Sequence, residues 1–259
     1  MALPVFEEAG SGNPERIFLY SHPKVGKTTL LSGLPNNLIV DTENGSNSIP
    51  GIRYNLIKES KKKNKTPLIM FRALAKAIAA KNEEINDYAY DYISIDTVTG
   101  MEDLALELAT ENFKKSVIGK QYKGNNVIAD IPSGGGYMWF RDAFEELYKL
   151  YDGLSRYGLI LTGHVKLTSV PREGIDVAVT DINLTGKLKD FITREVDAIG
   201  TLERNKDNLK QVMVSFITDT RSLAMGARQA HIANKKFVIS ELQEDGTFKF
   251  FWDKIYLKK

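Results

Sequence analysis

Residues 21–29 read S-H-P-K-V-G-K-T-T. A Gly-Lys-Thr ending is the signature of a loop that wraps phosphate, although the usual opening glycine is Ser21. The tripeptide alone is a weak signal, and its setting strengthens it. Ile17-Phe18-Leu19-Tyr20 ahead of it is a short apolar strand, and Lys27-Thr28-Thr29-Leu30-Leu31 opens a helix that Gly33 and Pro35 end. A strand feeding a glycine-containing turn at a helix start is the setting phosphate binding needs. There the backbone N–H groups of Pro23-Lys24-Val25-Gly26-Lys27-Thr28-Thr29, proline excepted, curl around the anion, and the helix start adds partial positive charge. Lys27 brings a full charge, and the Thr28 hydroxyl is placed for Mg²⁺. Gly26 permits the close backbone approach. Ser21 is tolerated if that position keeps an ordinary φ.

Leu38-Ile39-Val40-Asp41 is a second buried strand, so strand, loop, helix and strand fit a βαβ unit with parallel pairing. In such a sheet this strand can neighbour the phosphate-loop strand. Further strands are expected at 91–96, 159–164, 198–202 and 212–217, and a hairpin at 237–242 and 247–252. Helices are expected at 69–86, 101–115, 138–155 and 187–195. The lysine-rich 58–65 reads as a basic loop, 116–136 as irregular, and 167–185 as a polar loop or hairpin. The fold class is α/β: a doubly wound, mostly parallel sheet with a C-terminal β-hairpin. Residues 1–15 read as a lead-in and 16–259 as one domain.

The chain has 259 residues, 42% of them apolar and 26% charged, as in ordinary globular proteins. A formal net charge of +2 gives no bulk attraction to nucleic acid or lipid, so such contacts must be local. The absence of cysteine excludes disulfides and thiolate chemistry. No apolar run or leader pattern marks a membrane segment, and a cytoplasmic setting is expected.

Hydrolysis of a bound nucleotide needs more acids than the loop supplies. Asp96 ends the strand D-Y-I-S-I-D, at the carboxyl edge where ligands of parallel sheets sit. It is the candidate second magnesium group, with helix capping as the plainer role. Glu43, two residues past the strand ending at Asp41, is the candidate general base, and Asp41 competes with it. His164 ends L-I-L-T-G-H and is a candidate sensor of the γ-phosphate, or else a buried histidine bonded to backbone.

S-H-P-K-V-G-K-T-T, I-V-D-T-E-N-G, Y-I-S-I-D-T and L-T-G-H-V-K together resemble the core motifs of RecA-like P-loop ATPases. Within them the chain is most similar to the short phage relatives of the Sak-type single-strand-annealing group. That group shares the helix entry from Gly136-Tyr137 to Phe144, and the resemblance spans about residues 16–225. It implies a RecA-like core, ATP and Mg²⁺ as ligands, slow Mg-dependent hydrolysis, and single-stranded DNA as partner. It also implies homo-oligomers with ATP between subunits, work beside a single-strand DNA-binding protein, and a phage protein in a bacterial host. By motif, Lys27 and Thr28 hold phosphate and magnesium, Glu43 activates water, Asp96 completes the magnesium site and His164 is the switch.

The same resemblance turns two loops toward DNA, at 113–136 and 166–186. The first carries Lys114, Lys115, Lys120, Tyr122 and Lys123, lysines with an aromatic suited to backbone tracking and base stacking. The second carries Lys166, with Lys187 and Lys189 just beyond, among acids. An arginine supplied in trans would be Arg221 or Arg228. Two other readings stand beside a DNA-dependent recombination or annealing ATPase. One is a nucleotide-gated module without turnover. The other is a small-molecule kinase, which the arginine-poor 167–190 argues against.

Overall fold

The computed structural model describes residues 12–46, 48–122, 131, 135–172, 175–218 and 224–258. The phosphate-loop strand β1, Arg16–Ser21, lies centrally and pairs in parallel with β5, Gly158–Arg172, on one side and β7, Ala198–Arg204, on the other. Beyond β5 come β4, Tyr92–Asp96, then β2, Asn37–Asp41, then β3, Ile52–Asn55, all parallel. Beyond β7 the sheet turns antiparallel through β8, Gln211–Ser215, β10, Lys236–Leu242, and β11, Phe248–Phe250. This is the expected α/β class, a parallel core with a C-terminal hairpin of β10 and β11. The long β5 folds back on β6, Ile175–Ile182, and the two-residue β9, Gly226–Ala227, flanks β7.

Alternation along the central strands builds a core on each face. In β1, Phe18 and Tyr20 enter one cluster and Ile17 and Leu19 the other. The first cluster is covered by α3, Pro67–Ile85, α4, Val98–Lys115, α6, Gly135–Lys149, and α7, Leu188–Glu195. The second holds Leu30 and Leu31 of α1, Lys27–Leu31, together with the C-terminal residues Trp252, Ile255 and Tyr256. Trp252 Nε1 donates to the Leu30 carbonyl at 3.0 Å, which ties the chain end to the phosphate-loop helix.

Three local expectations change. β2 does not adjoin β1; β5 and β4 lie between them. The basic run is not a loop but α2, Leu56–Lys63, capped by the Asn55 side chain and closed by Asn64 in the left-handed region. Its sequence lacks an apolar stripe because only Leu56 and Ser60 are buried. Within 116–136, Ser116 caps a short helix α5, Val117–Gln121, and α6 already begins at Gly135. The segment left open between loop and hairpin is the β5–β6 hairpin, whose register runs from Val165↔Ile182 to Arg172↔Ile175.

Candidate functional site

The phosphate loop leaves β1 with Ser21 still in strand pairing and almost fully buried. The left-handed conformations fall later, at Lys24 with φ 67° and Gly26 with φ 116°. The turn therefore needs no glycine at position 21, while Gly26 sits where only glycine is unstrained. Gly26 is also the N-cap of α1, which directs the first free N–H groups of the helix into the loop. Lys27 is buried, and its ammonium makes long contacts of 3.3–3.5 Å to the Ser21 hydroxyl and carbonyl and the His22 carbonyl. Burial pulls its pKa below the ordinary lysine value, opposed by the charges of Asp96 and Glu43.

Asp96 lies at the end of β4 and is 5% exposed. Thr28 of α1 donates to its Oδ2 at 2.5 Å, and Thr162 of β5 donates to its Oδ1. Burial pushes its carboxyl pKa up, and the two hydroxyl bonds only partly oppose this. Capping of α4 is done instead by Thr97, whose hydroxyl accepts from Gly100 N at 3.2 Å. Asp96 is thereby free of that duty. A threonine hydroxyl and a buried carboxylate in contact are the hard oxygen donors that Mg²⁺ takes from protein when phosphate supplies the rest. Thr28 and Asp96 thus fit that ion.

Glu43 and Asp41 separate cleanly. Asp41 is buried and accepts from the N–H groups of Glu43, Gly45 and Ser46, from the Ser46 hydroxyl and from Asn55. It holds the 43–46 turn, and its acceptor capacity is used there. Glu43 instead projects over the strand ends. Its Oε1 accepts from the Thr97 hydroxyl at 2.5 Å, and its Oε2 lies 3.2 Å from His164 Nε2. The His164 hydrogen bond, more than any other contact, holds the Glu43 carboxyl below the usual glutamate range against the opposing effect of burial.

His164 Nδ1 lies 3.4 Å from the Lys27 ammonium. A proton on Nε2 satisfies both contacts: the ring donates to Glu43 and accepts from Lys27. The imidazole therefore bridges Glu43 and the loop from β5, the strand directly beside the phosphate-loop strand.

Glu43 reaches this far because its segment is stitched across β4. Thr42 N donates to the Asp96 carbonyl at 2.9 Å, the Thr42 hydroxyl donates to the Thr97 carbonyl at 3.0 Å, and Thr97 N donates back to that hydroxyl at 2.8 Å. Gly100 makes room for it: a Cβ there would lie 2.3 Å from Thr42 Oγ1 and 3.1 Å from Glu43 Cγ. Thr42, Gly100 and Thr162 are the supporting residues that sequence reasoning missed. Thr162 had a usable signal, lying two residues before His164 on the same strand face.

The contacts found for the remaining candidates among the described residues lie away from this cluster. Lys114 and Lys115 end α4, about 25 Å from its start at 1.5 Å per residue. Both are exposed, as is Lys120, and Lys115 pairs with Glu111 at 3.8 Å. The Tyr122 ring packs edge-on against Phe113, which leaves it part of the core rim. Lys166 donates to the Leu184 carbonyl and Lys189 pairs with Asp181 at 2.9 Å. Arg228 binds Asp197 at 2.9 Å and the Arg194 carbonyl at 3.0 Å, at the amino end of β7 and so at the opposite sheet edge. Lys123 and Arg221 lie outside the described residues.

A family profile described as an AAA domain matches residues 13–235. Among solved structures, a crystal structure of the RadB recombinase is similar at 12% identity and a TM-score of 0.43, covering 93% of this chain and 92% of that one. No curated protein matches. Among the described residues no helix is long and apolar enough to cross a membrane.

Proposed function

The chain belongs to the AAA-domain family, and from that premise we propose that it is a Mg²⁺-dependent ATPase acting with single-stranded DNA in recombination or strand annealing. The observation that carries the hydrolytic part is the convergence of Lys27, Thr28, Asp96, Glu43 and His164 at the carboxyl edge of the sheet, from α1, β4, the turn after β2, and β5. A site that only bound phosphate would need the loop and its lysine. A carboxylate held ionised above the loop, bridged to it by an imidazole, is what hydrolysis adds.

In this reading the triphosphate replaces the long contacts of Lys27, and the ammonium moves onto the β- and γ-phosphate oxygens. Thr28 and Asp96 would hold magnesium, which supplies neutralisation of phosphate charge when bound. Glu43 accepts a hydrogen bond from the attacking water and orients it. The water oxygen bonds to the γ-phosphorus as the bond to the bridging oxygen of ADP breaks, and the water proton passes to Glu43 Oε2 or to phosphate. A carboxylate of lowered pKa is a weak base, so its main work is orientation, and slow turnover follows. His164 touches both Glu43 and Lys27, so filling the γ-phosphate position changes its contacts and, through β5, those of the β5–β6 hairpin.

The test is ATP turnover by the full chain with and without single-stranded DNA. Stimulation is expected, and Lys27→Ala should abolish both turnover and ATP binding. Turnover indifferent to DNA would remove the DNA-dependent part. Phosphate transfer to a metabolite would point to a kinase.

A further inference from the structure

Arg204 is the last residue of β7, which pairs with β1 on the side away from β5. The register sets Tyr20 beside Thr201, so Arg204 lies three residues further along and rises beside the phosphate loop. It shares a strand face with Leu202, which packs in the same cluster as Leu30 and Leu31 of α1. Its Nη2 comes within 3.9 Å of the point that a Cβ on Gly26 would occupy. Among the described residues Arg204 pairs with no carboxylate. Arg16, Arg156 and Arg228 each grip a carboxylate, whereas the hydrogen bond found for Arg204 among the described residues runs from Nη1 to the Leu209 carbonyl, at 3.3 Å. Its neighbour Glu203 is engaged by Lys236 instead.

The two flanks of the loop thus differ in kind. Glu43 and His164 lie on the β5 side and mark the γ-phosphate end. A nucleotide laid along the loop from there leaves its nucleoside end on the β7 side, where the free guanidinium edge stands. We propose that Arg204 is a cis-acting nucleotide-binding residue whose Nη2 edge contacts the α-phosphate. The assignment rests on the nucleotide-site reading given above. An α-phosphate is common to ATP and ADP and does not react. Arg204 therefore contributes uniform binding, which sets affinity without changing the chemical step.

The experiment measures equilibrium binding of ATP and of ADP to the full chain, saturating turnover, and thermal stability, for Arg204→Ala, Arg204→Lys and Lys27→Ala. Arg204→Ala is expected to weaken ATP and ADP equally, by about tenfold. Turnover at saturating ATP should stay within about twofold, with Arg204→Lys recovering part of the affinity. Loss confined to ATP would place the residue at the γ end and overturn the assignment. So would unchanged affinity for both nucleotides, or a loss accompanied by an equal fall in Tm for both Arg204 variants. If Lys27→Ala also leaves binding intact, the nucleotide site itself is wrong. If only Lys27→Ala abolishes binding, Arg204 alone is misassigned.

Discussion

The two edges of the parallel sheet treat their charged groups in opposite ways. At the amino edge Arg16, Arg156 and Arg228 are each matched to carboxylates. Arg16 makes a two-point contact with Asp152 at 2.7 and 3.0 Å, and Asp197 accepts from the N–H groups of Glu15 and Arg16 and pairs with Arg228. Arg156 spans Asp87 and Asp91 at 2.7 and 3.2 Å. At the carboxyl edge Lys27 is buried with long contacts, and among the described residues Asp96 is buried against hydroxyl donors and Arg204 beside the loop has no carboxylate partner. The amino edge is electrostatically closed. The carboxyl edge leaves its charged groups open, as the proposed nucleotide and its cation require. Burial raises the Asp96 pKa and lowers that of Lys27, so each group there is less easily charged than in water.

That contrast can be broken most sharply at Glu43. Glu43→Gln should lower turnover by about 10²–10³ while leaving ATP affinity within a few-fold, measured by steady-state kinetics and equilibrium binding. If turnover survives, Glu43 is not the group that orients the attacking water. Gly100→Val comes next. The new side chain meets Thr42 and Glu43, and turnover should fall by about tenfold or more with the Thr28–Asp96 contact intact.

His164→Ala should cost about tenfold and also move the pH profile. The His164 bond lowers the Glu43 pKa, so removing it raises that pKa, and the acid limb of turnover shifts to higher pH. An unmoved limb would detach the imidazole from the base.

Asp96→Asn sharpens the comparison from the side of stability. A raised folded pKa means a contribution present below the unfolded value of about 3.9 and lost as pH rises through the folded pKa. Removing the charge should therefore raise the Tm of the nucleotide-free protein at neutral pH by about 2–4 °C, with a smaller gain at pH 5, and abolish turnover. The smallest effect is expected at the amino edge. Asp152→Ala should lower stability by about 1 kcal/mol or less, since the pair is about one-third exposed, and leave nucleotide affinity unchanged.

Much of this was legible along the chain. Apolar runs ending in Ser21, Asp41 and Asp96 mark parallel strands, each of these residues being the last of its strand, whereas His164 closes only the part of β5 that pairs with β1. The basic run 58–65 was not, because α2 rests on caps at Asn55 and Asn64 and buries only Leu56 and Ser60, leaving no periodic apolar signal. Sequence favoured Glu43 over Asp41 as the base and left Asp41 without a role of its own. Both lie near one strand end, and only the turn hydrogen bonds assign Asp41 to holding the backbone.

The sequence by itself determined the phosphate loop, the strand tips and the α/β class, since these depend on residues adjacent in the chain and on local backbone preference. Tertiary structure decided the strand order. With β5 and β4 between β1 and β2, Glu43 starts three strand spacings, about 14 Å, from the loop. It meets Lys27 only through His164 on the intervening strand and the Thr42–Thr97 stitching over Gly100. Hydrogen bonds between strands distant in sequence set that order, and no short stretch of the chain encodes it.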